Sequence, residues 1–114
     1  MTARVFGASG ALLCGFAVAL GAYASHAALA AAQPRFALAA AMAFSHGLAL
    51  IVLRARAGRL ALTARAALLA GVLLFSGSLA WAAATGDHAR LAPFGGTLLL
   101  FGWLLAAIDF SRKD

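Results

Sequence analysis

Four long apolar stretches, separated by short polar interruptions, organise this chain. They run from about Val5 to Ala28, Phe36 to Leu53, Ala64 to Ala84 and Leu91 to Phe110. Each is close to the ~20 residues that a helix needs to cross a hydrocarbon core of about 30 Å. In lipid every backbone polar group needs a partner within its own segment, so all four stretches are expected to be helices. The interruptions carry their own signals. Gln33-Pro34-Arg35 separates the first two helices, because proline disfavours helical backbone in the residue before it. Arg54, Arg56, Gly58 and Arg59 mark the second interruption, and Thr63 is placed to cap the third helix. Thr85-Gly86-Asp87-His88 closes that helix, with Gly86 as a left-handed cap, and Pro93 suits the first turn of the fourth. The loops are short, so consecutive helices should run antiparallel.

Composition supports the same solvent. The 114 residues are 65% hydrophobic and only 11% charged, and mean hydropathy is +0.98. Soluble domains run nearer 45–50% apolar and about 25% charged. The net charge of +6 would suggest nucleic acid in a soluble protein, but the nine basic residues lie almost entirely between the apolar runs. No basic face with interleaved aromatics exists to hold a nucleic acid. Arg4, the first apolar run and the small residues of Ala22–Ser25 loosely fit a cleaved leader. The run is long and glycine-rich for one, and it is read as a span.

Charge also orients the chain. With the N-terminus inside, the cytoplasmic side carries Arg4, Arg54, Arg56, Arg59, Arg65, Arg112 and Lys113, against Arg35 and Arg90 outside. This positive-inside asymmetry predicts that both termini are cytoplasmic. The expected fold is an all-α integral membrane four-helix bundle, one domain over residues 1–114, in a bacterial cytoplasmic (inner) membrane.

Small residues at helical spacing predict where helices meet, since they let backbones approach closely. Gly7, Ala11, Gly15 and Ala19 recur every four residues, and Gly10, Cys14 and Gly21 line an adjacent face. Gly77, between Ser76 and Ser78, does similar work in the third helix, and Gly95, Gly96 and Gly102 in the fourth. The single Cys14 makes no internal disulfide and no metal motif, and is read as a small packing residue.

Ionisable groups within a membrane are costly and are candidates for function. Asp109 is placed at the cytoplasmic interface, paired or solvated, and Asp87, His88 and Arg90 in an outer loop. That leaves His26 and His46. From the expected helix starts, His46 lies roughly 15 Å and His26 roughly 8 Å below the outer end, about 7 Å apart in depth. Ser76 and Ser78 fall past the midpoint of an outward-running third helix. His26, His46, Ser45, Ser76 and Ser78 are therefore expected to form one polar cluster or ligand site in the outer half. The plain reading is interhelical hydrogen bonding. The alternatives are a haem or quinone site, which neutral imidazole suits, and a small proton or ion transporter, which usually needs a deep carboxylate as well. No catalytic set can be assembled: there is no carboxylate pair, no Ser-His-Asp grouping at plausible depth, no phosphate loop and no HExxH. The chain is read as no enzyme, with no cofactor.

Four short motifs resemble a known family. GAYASH ends the first helix (Gly21–His26), SHGLAL lies in the second (Ser45–Leu50), and LFSGSLAW in the third (Leu74–Trp81). APFGG opens the fourth (Ala92–Gly96), followed by Gly102-Trp103. Their order and spacing resemble the YgdD-like membrane proteins, the domain of unknown function 423 family, which includes the animal transmembrane protein 256. Ser45 and Ala80 stand where the family usually has tyrosines, and the first loop is short. The resemblance implies a four-helix membrane protein and maps the family's two histidines onto His26 and His46, without supplying an activity. The expected role is a non-catalytic structural or accessory subunit, whose partners are the lipid bilayer and another membrane protein or a second copy of itself.

Overall fold

The computed structural model describes residues 2–112; Lys113, counted above among the inner charges, lies outside them. The chain forms four helices: α1 (Thr2–His26), α2 (Gln33–Leu53), α3 (Arg59–Thr85) and α4 (Ala92–Ser111). All four are long and apolar enough to cross a membrane, and the protein is a multi-pass membrane protein built as a four-helix bundle. Its extents of 50 × 24 × 20 Å match helices of 20 to 27 residues lying side by side.

Local chemistry sets the helix ends. Pro34 and Pro93 sit in the first turns of α2 and α4, where the missing N–H costs nothing. Gly86 ends α3 at φ 74°, and its N–H donates to Ala82 O at 2.8 Å, the left-handed cap expected from sequence. Two boundaries differ from expectation. α3 begins at Arg59, not near Ala64, and Thr63 lies inside it, its hydroxyl donating to Arg59 O at 2.8 Å. Arginine is a good helix former, so the charged segment ends the apolar run without ending the helix. Likewise α2 takes in Gln33-Pro34-Arg35 as its first turn.

Packing is sequential: α1 lies on α2, α2 on α3 and α3 on α4, while α1 barely touches α3. Among the described residues α4 makes no close backbone approach to α1 or α2. The molecule is two helical hairpins joined through α2 and α3. Phe6, Leu50, Leu53, Leu68, Val72 and Leu99 form the core. Leu12, Phe16, Val52, Trp81 and Leu100 stand outward and are mostly exposed, as a hydrocarbon solvent allows.

Glycine brings each hairpin together. A Cβ on Gly10 would stand 2.5 Å from Gly47 O, and one on Gly47 would stand 2.7 Å from Gly10 O. In the second hairpin a Cβ on Gly71 would meet Gly95 O at 3.0 Å, and one on Gly95 would run into the Phe75 backbone N. Gly102 seats Leu68, whose Cδ2 would lie 2.9 Å from an added Cβ. Where the expectation named Gly7, Gly15, Gly21, Gly77, Gly95, Gly96 and Gly102 as packing positions, two face open space. An added Cβ on Gly15 or Gly77 meets nothing within 4 Å. α1 buries Phe6, Gly10, Ala17 and Ala24. That stripe leaves the ridge of Ala11, Gly15 and Ala19 on the outside. Gly7 meets the Arg54 side chain, and Gly21 and Gly96 make ordinary contacts with Ala40 and Phe75.

Candidate functional site at the His46–Trp103 junction

His46 is the buried imidazole of the bundle, at 7% exposure. It follows Ala39 and Ala43 on the inward stripe of α2 and precedes Leu50 and Leu53, so helical period alone turns it inward. Its Nδ1 lies 2.8 Å from Met42 O. A carbonyl only accepts, so Nδ1 carries the hydrogen and donates it back along the helix. That assignment leaves Nε2 as an acceptor. Trp103 Nε1, a donor only, reaches it at 3.0 Å from α4. One neutral tautomer therefore satisfies both nitrogens. The Ser45 hydroxyl donates to Met42 O at 3.2 Å and sits 3.3 Å from Nδ1. The two rings lie 5.9 Å apart, tilted by 60°. Since α2 and α4 do not approach by backbone, the indole spans the gap and fixes the rotation of α4 against α2.

The other members of the expected cluster lie elsewhere. The α1–α2 register is read from Gly10 against Gly47, Gly21 against Ala40, and Tyr23 edge-on to Phe36. It places His46 level with the first half of α1, roughly 20 Å below His26 at 1.5 Å per residue. The expected difference of about 7 Å took too late a start for α2, and took α1 to continue to Ala31, whereas it ends at His26. His26 is exposed and donates to no group among the described residues. Ser76 is buried and donates to Ala39 O at 2.9 Å, binding α3 to the first half of α2. Ser78 accepts from Leu91 N–H at 3.2 Å and so supports the start of α4. Hence His46 and Ser45 stand toward the α2–α3 turn, Ser76 and Ser78 toward the opposite end of the bundle, and His26 at that end of α1.

Cys14 lies between the helices of the first hairpin, its thiol 3.6 Å from Phe44 O. Asp109 is paired: Arg56, from the α2–α3 loop, donates through Nε to Oδ2 at 2.5 Å and stacks 4.0 Å over the Phe110 ring. Arg65 is the charge the sequence reading left at the helix end. It is only 4% exposed, and its Nη1 donates to Leu53 O at 2.9 Å and Arg56 O at 2.6 Å. Its guanidinium lies 5.1 Å from the Phe6 ring centroid. Among the described residues no carboxylate bonds it. The last carbonyl of α2, negative by the helix dipole, and the Arg56 carbonyl of the following loop take that role. The signal was periodic: once α3 starts at Arg59, Arg65 shares the buried stripe of Ala61, Ala64, Leu68 and Val72. Trp103 was equally legible as a neighbour of buried Leu99, Gly102 and Ala106.

The model of the family described as protein of unknown function DUF423 matches residues 20–96, about two thirds of the chain. This chain belongs to the DUF423 family. The match takes in His26 and His46, both FSGS serines and the arginines of the α2–α3 turn. It stops before Trp103 and Asp109, the α4 ends of the two side-chain links described above. No solved structure matches the chain.

Proposed function

We propose that this DUF423 protein is a non-catalytic structural or accessory subunit of a membrane assembly. Its termini face the cytoplasm and its location is a bacterial inner membrane, the orientation resting on the excess of basic residues at the α2–α3 end. The observation that carries the reading is how the deep polar side chains are used. His46, Trp103, Ser45 and Ser76 all bond within the chain, and Asp109 is held by Arg56. Binding a haem or quinone through His46 Nε2 would first displace the indole. A proton path through Asp109 would have to release it from Arg56. The outward ridge of Ala11, Gly15 and Ala19 is instead suited to close approach by another helix.

The test places a photocrosslinking side chain at Gly15, where it clashes with nothing, and at Gly77 on α3. Native membranes are irradiated, extracted in mild detergent, and crosslinked proteins are identified by mass spectrometry. The expected result is one stoichiometric adduct from Gly15, with another membrane protein or a second copy. Adducts with lipid alone from both positions would overturn the proposal.

A further inference from the structure

Four arginines converge at the α2–α3 turn. Arg54, Arg56, Arg59 and Arg65 line an open cup of about 440 Å³, together with Ala3 of α1 and Gly58. Asp109 does not line it, and its charge is already taken by Arg56. The first turn of α3 also points here, with no acidic residue and no side-chain cap on Gly58. The positive end of the helix dipole therefore adds to the arginines. A second observation is independent of charge counting. Arg65 is 4% exposed, and its Nε is buried with no hydrogen-bond partner. A guanidinium tied through Nη1 to Leu53 O and Arg56 O, with no carboxylate partner among the described residues, leaves an uncompensated positive charge beneath the cup.

A separate apolar groove lies farther along α1 and α3. Ser9, Leu12, Leu13 and Phe16 of α1 face Leu69 and Leu73 of α3 across about 470 Å³ of open space, because α1 and α3 barely touch. Leu62 is at the cup, and Leu69 and Leu73 follow it on one stripe of α3. From Leu62 to Leu73 the helix rises roughly 16 Å, about half of a 30 Å core and so the depth of one leaflet. A cationic cup at one end of the bundle, with an apolar groove farther along the same stripe of α3 and reaching one leaflet deep, matches the headgroup and chain of a phospholipid.

We propose that this junction binds one anionic phospholipid, its phosphate in the arginine cup and an acyl chain along the α1–α3 groove. The phosphate oxygens accept from Arg59 and Arg54, and Arg65 fixes the turn that presents them. Recognition of the negative headgroup is what separates this site from general wetting by lipid.

The purified full chain in dodecyl maltoside is titrated with phosphatidylglycerol, phosphatidylcholine, inorganic phosphate or glycerol 3-phosphate. Retained lipid is counted by native mass spectrometry and stability by thermal melting. The expected outcome is one retained phosphatidylglycerol and a raised melting temperature. Phosphatidylcholine and the two soluble phosphates should do neither. Arg59→Gln, an exposed side chain with no bonded partner among the described residues, should lower phosphatidylglycerol affinity about fivefold, and Arg59→Lys should restore most of it. Arg4→Gln removes one positive charge from the same end of the bundle but outside the cup, and should lower affinity far less. Equal retention of phosphatidylcholine overturns the proposal. So does an equal effect of soluble phosphate, or a loss in Arg4→Gln matching that in Arg59→Gln. Circular dichroism of each variant confirms that the helices persist.

Discussion

Replacing Gly10 by alanine tests which face of α1 holds the protein together. The new Cβ would stand 2.5 Å from Gly47 O, 2.9 Å from Ile51 Cγ1 and 3.2 Å from Ile51 N. Two of these neighbours are backbone atoms of α2 and cannot rotate away. To restore ordinary contact distance, α1 and α2 must separate by roughly 1 Å, and a gap of that size forfeits up to about half of each dispersion contact across the interface. Overpacking of this kind costs about 1–3 kcal/mol. Alanine recovers about 1 kcal/mol of helix propensity, leaving a net loss of about 0–2 kcal/mol for Gly10→Ala, and about 1–3 kcal/mol relative to Gly15→Ala. Gly15→Ala has the same propensity gain and nothing within 4 Å to strike, so it should be neutral or slightly stabilising. The pair is compared by denaturant titration in detergent, following helicity and a distance label across the first hairpin. Gly10→Ala/Gly47→Ala should lose less than the sum of the single changes, because one separation accommodates both methyl groups. The reasoning is refuted if Gly15→Ala destabilises as much as Gly10→Ala. That result would return the packing face to the Gly7–Ala11–Gly15–Ala19 ridge.

Three further outcomes are expected. Trp103→Phe leaves the buried His46 Nε2 without its donor and should cost about 0.6–1.7 kcal/mol; a double-mutant cycle with His46→Ala should show that the loss is shared, whereas additive losses would mean that the bond does not form. Arg65→Met strips a charged donor from Leu53 O and Arg56 O. Charged hydrogen bonds are worth about 1.5–3 kcal/mol each, offset in part by relief of a buried charge. A net loss of about 2 kcal/mol is expected, with faster amide exchange across residues 54–58, and unchanged exchange there would count against the clamp. His26→Ala and Ser76→Ala should diverge. The first alters an exposed side chain and should stay within about 0.5 kcal/mol. The second removes the bond to Ala39 O and should cost about 0.6–2 kcal/mol. Equal effects on thermal melting would argue that the two residues share a site after all.

What the sequence determines by itself is the solvent and the number of crossings. Apolar runs of about 20 residues report length and hydropathy, and in lipid the backbone has no other way to satisfy its polar groups than to coil. The ends marked by Pro34, Pro93 and Gly86 are legible for the same local reason, since each residue acts on its own turn. The ends marked by charge are less legible: Arg59 and Arg65 leave the hydrophobic pattern but not the helix. Side-by-side relations belong to the tertiary structure alone. In a soluble helix the apolar stripe names the buried face. In a membrane helix every face is apolar, so hydropathy does not say which ridge of α1 meets α2. Two small-residue ridges were available, and the fold uses the one through Gly10, because Gly47 lies opposite it and lets the backbones touch. Depth follows from the same choice. Register between α1 and α2 decides that His26 and His46 lie roughly 20 Å apart. The reach of one indole from α4 decides that His46 is bonded on both nitrogens. The cup of arginines is likewise a product of folding. Arg54, Arg56 and Arg59 adjoin in sequence, but only the packing of α3 against α2 buries Arg65 among them.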